Sequence, residues 1–228
     1  MGVEQSTAKP TRRGHYDRFY DEGGWQYSVS VERRKLKRWI IPTAGWKRAD
    51  HILEIGCGTG LQARILRDCG LRVTAVDASA VAIEKAIAQH GGKKGLEYLC
   101  ADLANWEPAT RPLDGIYCRG MSWFHYELLG VNKKGIDVPV QLARLFGWLK
   151  VGGAFVLEIT TDFSGRKGTV GRLVHDNTLE DYLRLFEPHG EIVSVRDWRW
   201  RDLRRGITEG SDGIFLHCRK VASGIEAG

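Results

Sequence analysis

The residues best suited to chemistry stand at the ends of three apolar segments. The first, Ile52-Leu53-Glu54-Ile55, runs into Gly56-Cys57-Gly58-Thr59-Gly60. Glycines at such a turn let a ligand touch the backbone, and the N–H groups opening the next helix face it. Glu54, just before the turn, would repel a pyrophosphate and suits an amino cation. The second segment ends at Asp77 and Ala78, about 20 residues past the turn, where a carboxylate can accept two hydrogen bonds from a ribose diol. The third is followed by Asp102 and Leu103, whose carboxylate and backbone N–H match an exocyclic amine and a ring nitrogen. Singly, Asp77 could cap a helix and Asp102 could be a turn residue. In joint register, the three ends suit an adenosine.

The elements that must hold these residues alternate. Strands are expected at His51–Ile55, Arg72–Val76, Leu96–Cys100, Gly115–Cys118 and Ala154–Ile159. Helices are expected at Leu61–Cys69, at Ala80–His90 behind a Ser79 cap, and at Val138–Leu149 behind Asp137. A fourth, Thr178–Phe186, carries a Thr178/Asp181 capping box. Strand–helix alternation predicts an α/β, doubly wound, mostly parallel sheet. Two last strands, Glu191–Trp200 and Gly213–Lys220, leave no room for a helix between them and should form an antiparallel terminal hairpin, seven strands in all. Ligands of such sheets bind at the strands' carboxyl ends, where strand order reverses.

On these motifs the sequence resembles class I S-adenosylmethionine-dependent methyltransferases. Residues 52–60 match that family's first motif, Val73-Thr74-Ala75-Val76-Asp77-Ala78-Ser79 its second and Cys100-Ala101-Asp102-Leu103 its third. Leu113-Asp114-Gly115-Ile116-Tyr117-Cys118-Arg119-Gly120 is similar to the fourth, and Leu149-Lys150-Val151-Gly152-Gly153 to the turn before the fifth strand, with valine where proline is usual. The resemblance implies S-adenosyl-L-methionine as cofactor. Its implied contacts are Glu54, Gly56, Cys57, Gly58, Gly60, Asp77, Ala78, Asp102, Leu103 and Arg119. It does not imply a metal. The dinucleotide fingerprint G-x-G-x-x-G does not fit, because the third glycine, Gly60, comes one residue early.

Methyl transfer requires alignment and dryness, and a base only when the acceptor must lose a proton. In the loop after the fourth strand, His125 is the best base candidate and Tyr126 can orient an acceptor; His175 is a second candidate base. The aromatics Tyr16, Tyr20, Trp25 and Tyr27 are expected to form a lid, with Tyr20 and Trp25 against the cofactor, since aromatic faces attract a sulfonium. The Asn/Asp-Pro-Pro-aromatic stretch of amino-methylating nucleic-acid enzymes and the Pro-Cys nucleophile of cytosine-C5 enzymes are absent. The Arg119-Gly120 ending resembles small-molecule methyltransferases, including the thiopurine-type group, and that resemblance implies a small-molecule acceptor with an O, N or S nucleophile. An RNA acceptor is the alternative, resting on the basic arm and on Arg196, Trp198, Arg199, Trp200, Arg201, Arg204 and Arg205. A third reading is a non-catalytic cofactor-binding subunit.

Composition sets the frame. The 228 residues, 43% hydrophobic and 27% charged, suit one globular domain with an appendage. The motifs divide them into an arm and helical lid (1–49), a cofactor-binding domain (50–222) and a tail (223–228). Of 34 basic and 28 acidic residues, the first 50 positions hold 11 and 6, so most of the net +6 belongs to the arm. A helix over Val31–Ile40 is expected to turn Arg33, Arg34, Lys35, Lys37 and Arg38 mostly outward and to stop at Pro42. No apolar run approaches the ~20 residues of a membrane span, and Met1–Lys9 lacks a signal peptide's apolar core. Five unpaired-looking cysteines fit a reducing cytoplasm.

Overall fold

The computed structural model describes residues 12–160, 177–207 and 213–222. Candidate base His175 and the tail lie outside the described residues. Helices α1 (Arg12–Asp21), α2 (Val29–Lys35) and α3 (Ile41–Ala44) precede strand β1 (His51–Ile55). Then come α4 (Leu61–Asp68), β2 (Arg72–Asp77), α5 (Ala80–His90), β3 (Leu96–Cys100) and β4 (Leu113–Arg119). The chain closes with α6 (Val138–Trp148), β5 (Leu149–Thr160), α7 (Leu179–Phe186), β6 (Gly190–Arg196) and β7 (Gly213–Lys220). One seven-stranded sheet runs β3-β2-β1-β4-β5-β7-β6. Strands β1 to β5 are parallel, while β7 lies antiparallel between β5 and β6. This is the doubly wound, mostly parallel sheet with a terminal hairpin that strand–helix alternation demands.

Local chemistry accounts for the element ends. Ser79 Oγ accepts from Ala82 N and Asp137 Oδ1 from Val140 N, each at 3.1 Å, so α5 and α6 begin where cap residues stand. Thr178 and Asp181 close both halves of a capping box on α7.

Strand alternation sends successive side chains to opposite faces. Leu53, Ile55, Phe155, Leu157, Ile214 and Leu216 pack with α6 and α7 in one core. Ile52, Val156 and Phe215 pack with Leu36, Ile40, Ala63 and Leu66 in the other. By the same parity Glu54, Tyr117, Arg119, Glu158 and His217 belong to this second face, which α2 covers.

Three expectations are corrected. The helix after α1 does not end at Pro42. It passes from α2 into a π-helical stretch, Leu36–Ile40, then into α3, and ends at Gly45 in the left-handed region (φ 73°). Pro42 is tolerated because it falls where the chain returns from π to α pairing, in the first turn of α3. Lys35 is not on the outer face: it is 5% exposed, drawn inward by two carboxylates. Finally, β6 ends at Arg196 rather than Trp200. Asp197 turns the chain by accepting from Arg199 N (2.9 Å) and Arg201 N (2.7 Å). Trp198 and Trp200 are therefore turn residues, with Trp198 edge-on to Phe215 and Trp200 stacked on Trp39 at 5.1 Å.

Candidate functional site

Strand order reverses between β1 and β4, and a cavity opens at their carboxyl ends. Glu54, Gly56, Cys57, Gly58, Asp77, Ala78, Asp102, Leu103, Arg119, Tyr20, Trp25 and His125 all line it. Gly60 and Tyr126 do not. Gly60 supports the turn from behind: it holds φ 77°, its carbonyl accepts from Tyr98 Oη (2.8 Å), and a Cβ there would sit 2.4 Å from the Tyr98 ring. Tyr126 turns away toward Lys133 and Lys134, whose ammonium groups lie 5.8 and 5.5 Å from its ring.

One half of the cavity is built from backbone. Asp77 Oδ2 accepts from Gly58 N (2.8 Å) and Oδ1 from Ser79 N (2.9 Å), tying the glycine turn to the end of β2. Burial raises the Asp77 carboxyl, and those N–H donors oppose the rise. Each oxygen keeps a second lone pair for a ligand hydroxyl. Asp102 Oδ1 accepts from Ala104 N (3.1 Å), and Arg144 donates to the Leu103 carbonyl, so the segment after β3 is held from both sides. Glu54 is 1% exposed, and its Oε2 has no hydrogen-bond partner. Burial pushes its carboxyl well up and nearby Arg119 pulls it down.

The other half is built from charges. Arg119, ending β4, pairs with Glu158 near the end of β5 and with Glu32 of α2. Lys35 binds the same two carboxylates. Burial works against the Arg119 charge, but Glu158, Tyr117, Tyr27 and Glu32 together outweigh it and hold the guanidinium above its usual range. Burial likewise raises Glu158, and Lys35 and Arg119 more than reverse that. The sequence reading missed Glu32, Lys35 and Glu158. A signal was present: Glu158 is the lone charge in the apolar run Ala154–Thr160, and a charge inside such a run needs a buried partner.

The N-terminal aromatics cover both halves. Tyr16, Tyr20, Trp25 and Tyr27 all line the cavity. Asp17 accepts from Ser79 Oγ (2.6 Å), and Lys85 donates to the Tyr20 carbonyl (2.6 Å), seating α1 on α5. The Tyr20 hydroxyl lies over Gly58, 2.6 Å from where a Cβ would be. Burial, and then the neighbouring Asp77, raise its pKa. The loop bearing His125 is anchored by Tyr182 Oη to the Phe124 carbonyl (2.6 Å) and by Asn132 Nδ2 to the Trp123 carbonyl (3.1 Å).

Residues 52–133 match the family model described as "Methyltransferase domain". Glycine N-methyltransferase from Rattus norvegicus is 24% identical over 148 residues, 59% of this chain and 49% of that protein. The chain thus spans about half the length of the curated relatives it matches. The CcbJ methyltransferase from Streptomyces caelestis superposes with a TM-score of 0.65 at 15% identity, covering 90% of this chain and 96% of that one. The [4+2]-cyclase SpnF superposes with a TM-score of 0.67 at 16% identity, covering 94% and 98%. The chain has the class I S-adenosylmethionine-dependent methyltransferase fold. Among the described residues no helix is long and apolar enough to cross a membrane.

Proposed function

We propose that the protein transfers a methyl group from S-adenosyl-L-methionine to a small-molecule nucleophile. The observation that carries this is the pairing of Glu54 and Asp77 at one glycine turn. Glu54 offers a buried carboxylate oxygen without a partner, and Asp77 offers free lone pairs one strand away. The donor set fits the cofactor's chemistry: Glu54 suits its ammonium, Asp77 its ribose, and Asp102 with Leu103 its adenine. S-adenosyl-L-methionine supplies an electrophilic methyl carbon on a sulfonium whose leaving group is neutral.

The chain's own work is to align, to dry and to take a proton. Tyr20, Trp25 and Tyr27 exclude water above the turn. His125, lining the cavity on an anchored turn, takes the acceptor's proton where there is one to lose. A relative named for N-methylation of glycine supports an amine nitrogen as the acceptor atom. The RNA alternative loses part of its support, because Trp200 is stacked on Trp39 rather than presented to bases, although Trp198 lines the cavity. Since the cyclase shares the fold, direct transfer is the decisive test. Radiolabelled methyl from the cofactor should enter the small-molecule fraction of an extract. Label in RNA would overturn the small-molecule reading, and tight cofactor binding without transfer into any fraction would favour a non-catalytic subunit.

A further inference from the structure

The charged half of the cavity is already complete without a ligand. Arg119 Nε lies 2.9 Å from Glu158 Oε1, and Nη1 lies 2.8 Å from Glu32 Oε2. Lys35 Nζ lies 2.6 Å from each of the same carboxylates. Two cations face two anions, and no side chain of the four is more than 15% exposed. The ends are tied off as well. Tyr117 Oη donates to Glu158 Oε2 (2.5 Å), Gln62 Nε2 donates to Glu32 Oε2 (3.2 Å), and the Tyr27 ring covers the guanidinium at 3.8 Å.

Among the described residues lining the cavity, Glu54, Asp77, Asp102 and Glu158 are acidic, and Arg119 is the one lysine or arginine. Arg119 is already balanced by two carboxylates, so an anionic ligand meets no uncompensated cation there and gains the full charge only by displacing Glu32 or Glu158. That would leave a buried carboxylate unpaired, which is strongly unfavourable. An amine meets the opposite situation: beside the bound cofactor it finds a lining of excess negative charge that also includes Tyr27, Trp123 and Trp198.

We infer that the acceptor is an amine on a flat apolar body that carries no carboxylate or phosphate, and that Glu32 and Lys35 of α2 set this preference by occupying Arg119 and Glu158. This rests on the methyltransferase reading and deepens it. A free amino acid is disfavoured by its own carboxylate.

The test is calorimetry on the full chain with saturating S-adenosylhomocysteine and three matched probes: tryptamine, tryptophol and indole-3-propionate. Tryptamine should bind at least about tenfold more tightly than the acid, with the alcohol between. Equal or tighter binding of the acid overturns the inference, and so does failure of all three to bind. Glu32→Gln keeps the shape and the Gln62 contact but releases Arg119. It should narrow the amine-to-acid ratio about tenfold, while Lys35→Gln, leaving a surplus carboxylate, should widen it. If both variants fold by circular dichroism and neither moves the ratio, the quartet does not set specificity. Failure of S-adenosylhomocysteine itself to bind would strike the methyltransferase reading instead, and the probe series run without it still tests the preference.

Discussion

The two halves of the cavity are made in opposite ways. At the ends of β1, β2 and β3, side chains and backbone groups come from three contiguous motifs, and Asp77 reaches its partner Gly58 across one strand gap. At the ends of β4 and β5, Lys35 and Glu158 meet although 123 positions separate them. Backbone donors cannot be moved without breaking the fold, whereas an ion quartet can be re-tuned one side chain at a time. The first half suits a ligand that never changes and the second a ligand that does.

The largest expected effect tests whether the quartet is also structural. Lys35→Met leaves Glu32 and Glu158 facing Arg119 alone and should cost about 3–5 kcal/mol in chemical denaturation. A loss under about 1 kcal/mol would break the contrast, for the charges would then be ornamental to stability. Gly60→Ala probes the other half. It forces a side chain into φ 77° and against Tyr98, and should cost about 2–4 kcal/mol.

Asp77→Ala should weaken cofactor binding about tenfold to a hundredfold by calorimetry, the loss of charge-assisted bonds worth about 1.5–3 kcal/mol. Unchanged affinity in a folded variant would remove Asp77 from the ribose.

His217 sharpens the comparison from beneath. It is 1% exposed beside the quartet, both ring nitrogens lack partners, and burial lowers its pKa to about 3. Unfolded, the ring titrates near 6.5, so between that value and about 3 the unfolded chain binds the extra proton. Its contribution to stability is whole above pH 6.5 and is lost as pH falls toward 3. Between pH 7 and 5.5 the loss is about 1.3 kcal/mol, and His217→Gln should shrink the stability difference between those two values by that amount. The smallest effect is expected at Tyr126, which turns away from the cavity: Tyr126→Phe should leave methyl transfer within about twofold.

This contrast also explains what could be read from the sequence. Strand order, the caps at Ser79, Asp137 and Thr178, and the glycine turn are local patterns, and each depends on neighbours a few residues away. The quartet depends on a helix and two strands meeting, so no window of sequence contains it. Lys35 misleads for a related reason. It sits among Arg33, Arg34, Lys37 and Arg38, and composition alone assigns all five to water. Likewise β6 reads as continuing to Trp200 because tryptophans favour strands, but Asp197 captures the backbone first.

The π-helical stretch Leu36–Ile40 carries a consequence for how such a protein can change over time. A π turn is what a helix becomes when it absorbs one inserted residue, and each α-helical residue advances the chain by about 100°. Because the π turn takes up the extra residue locally, deleting one residue from this stretch would restore ordinary winding and leave the preceding segment facing as before. Glu32 and Lys35 would keep their places at Arg119 and Glu158, whereas a deletion in the regular helix between Lys35 and its neighbours would rotate one flank by that angle. Acceptor preference here is thus buffered against a one-residue change of length at this stretch, and open to substitution.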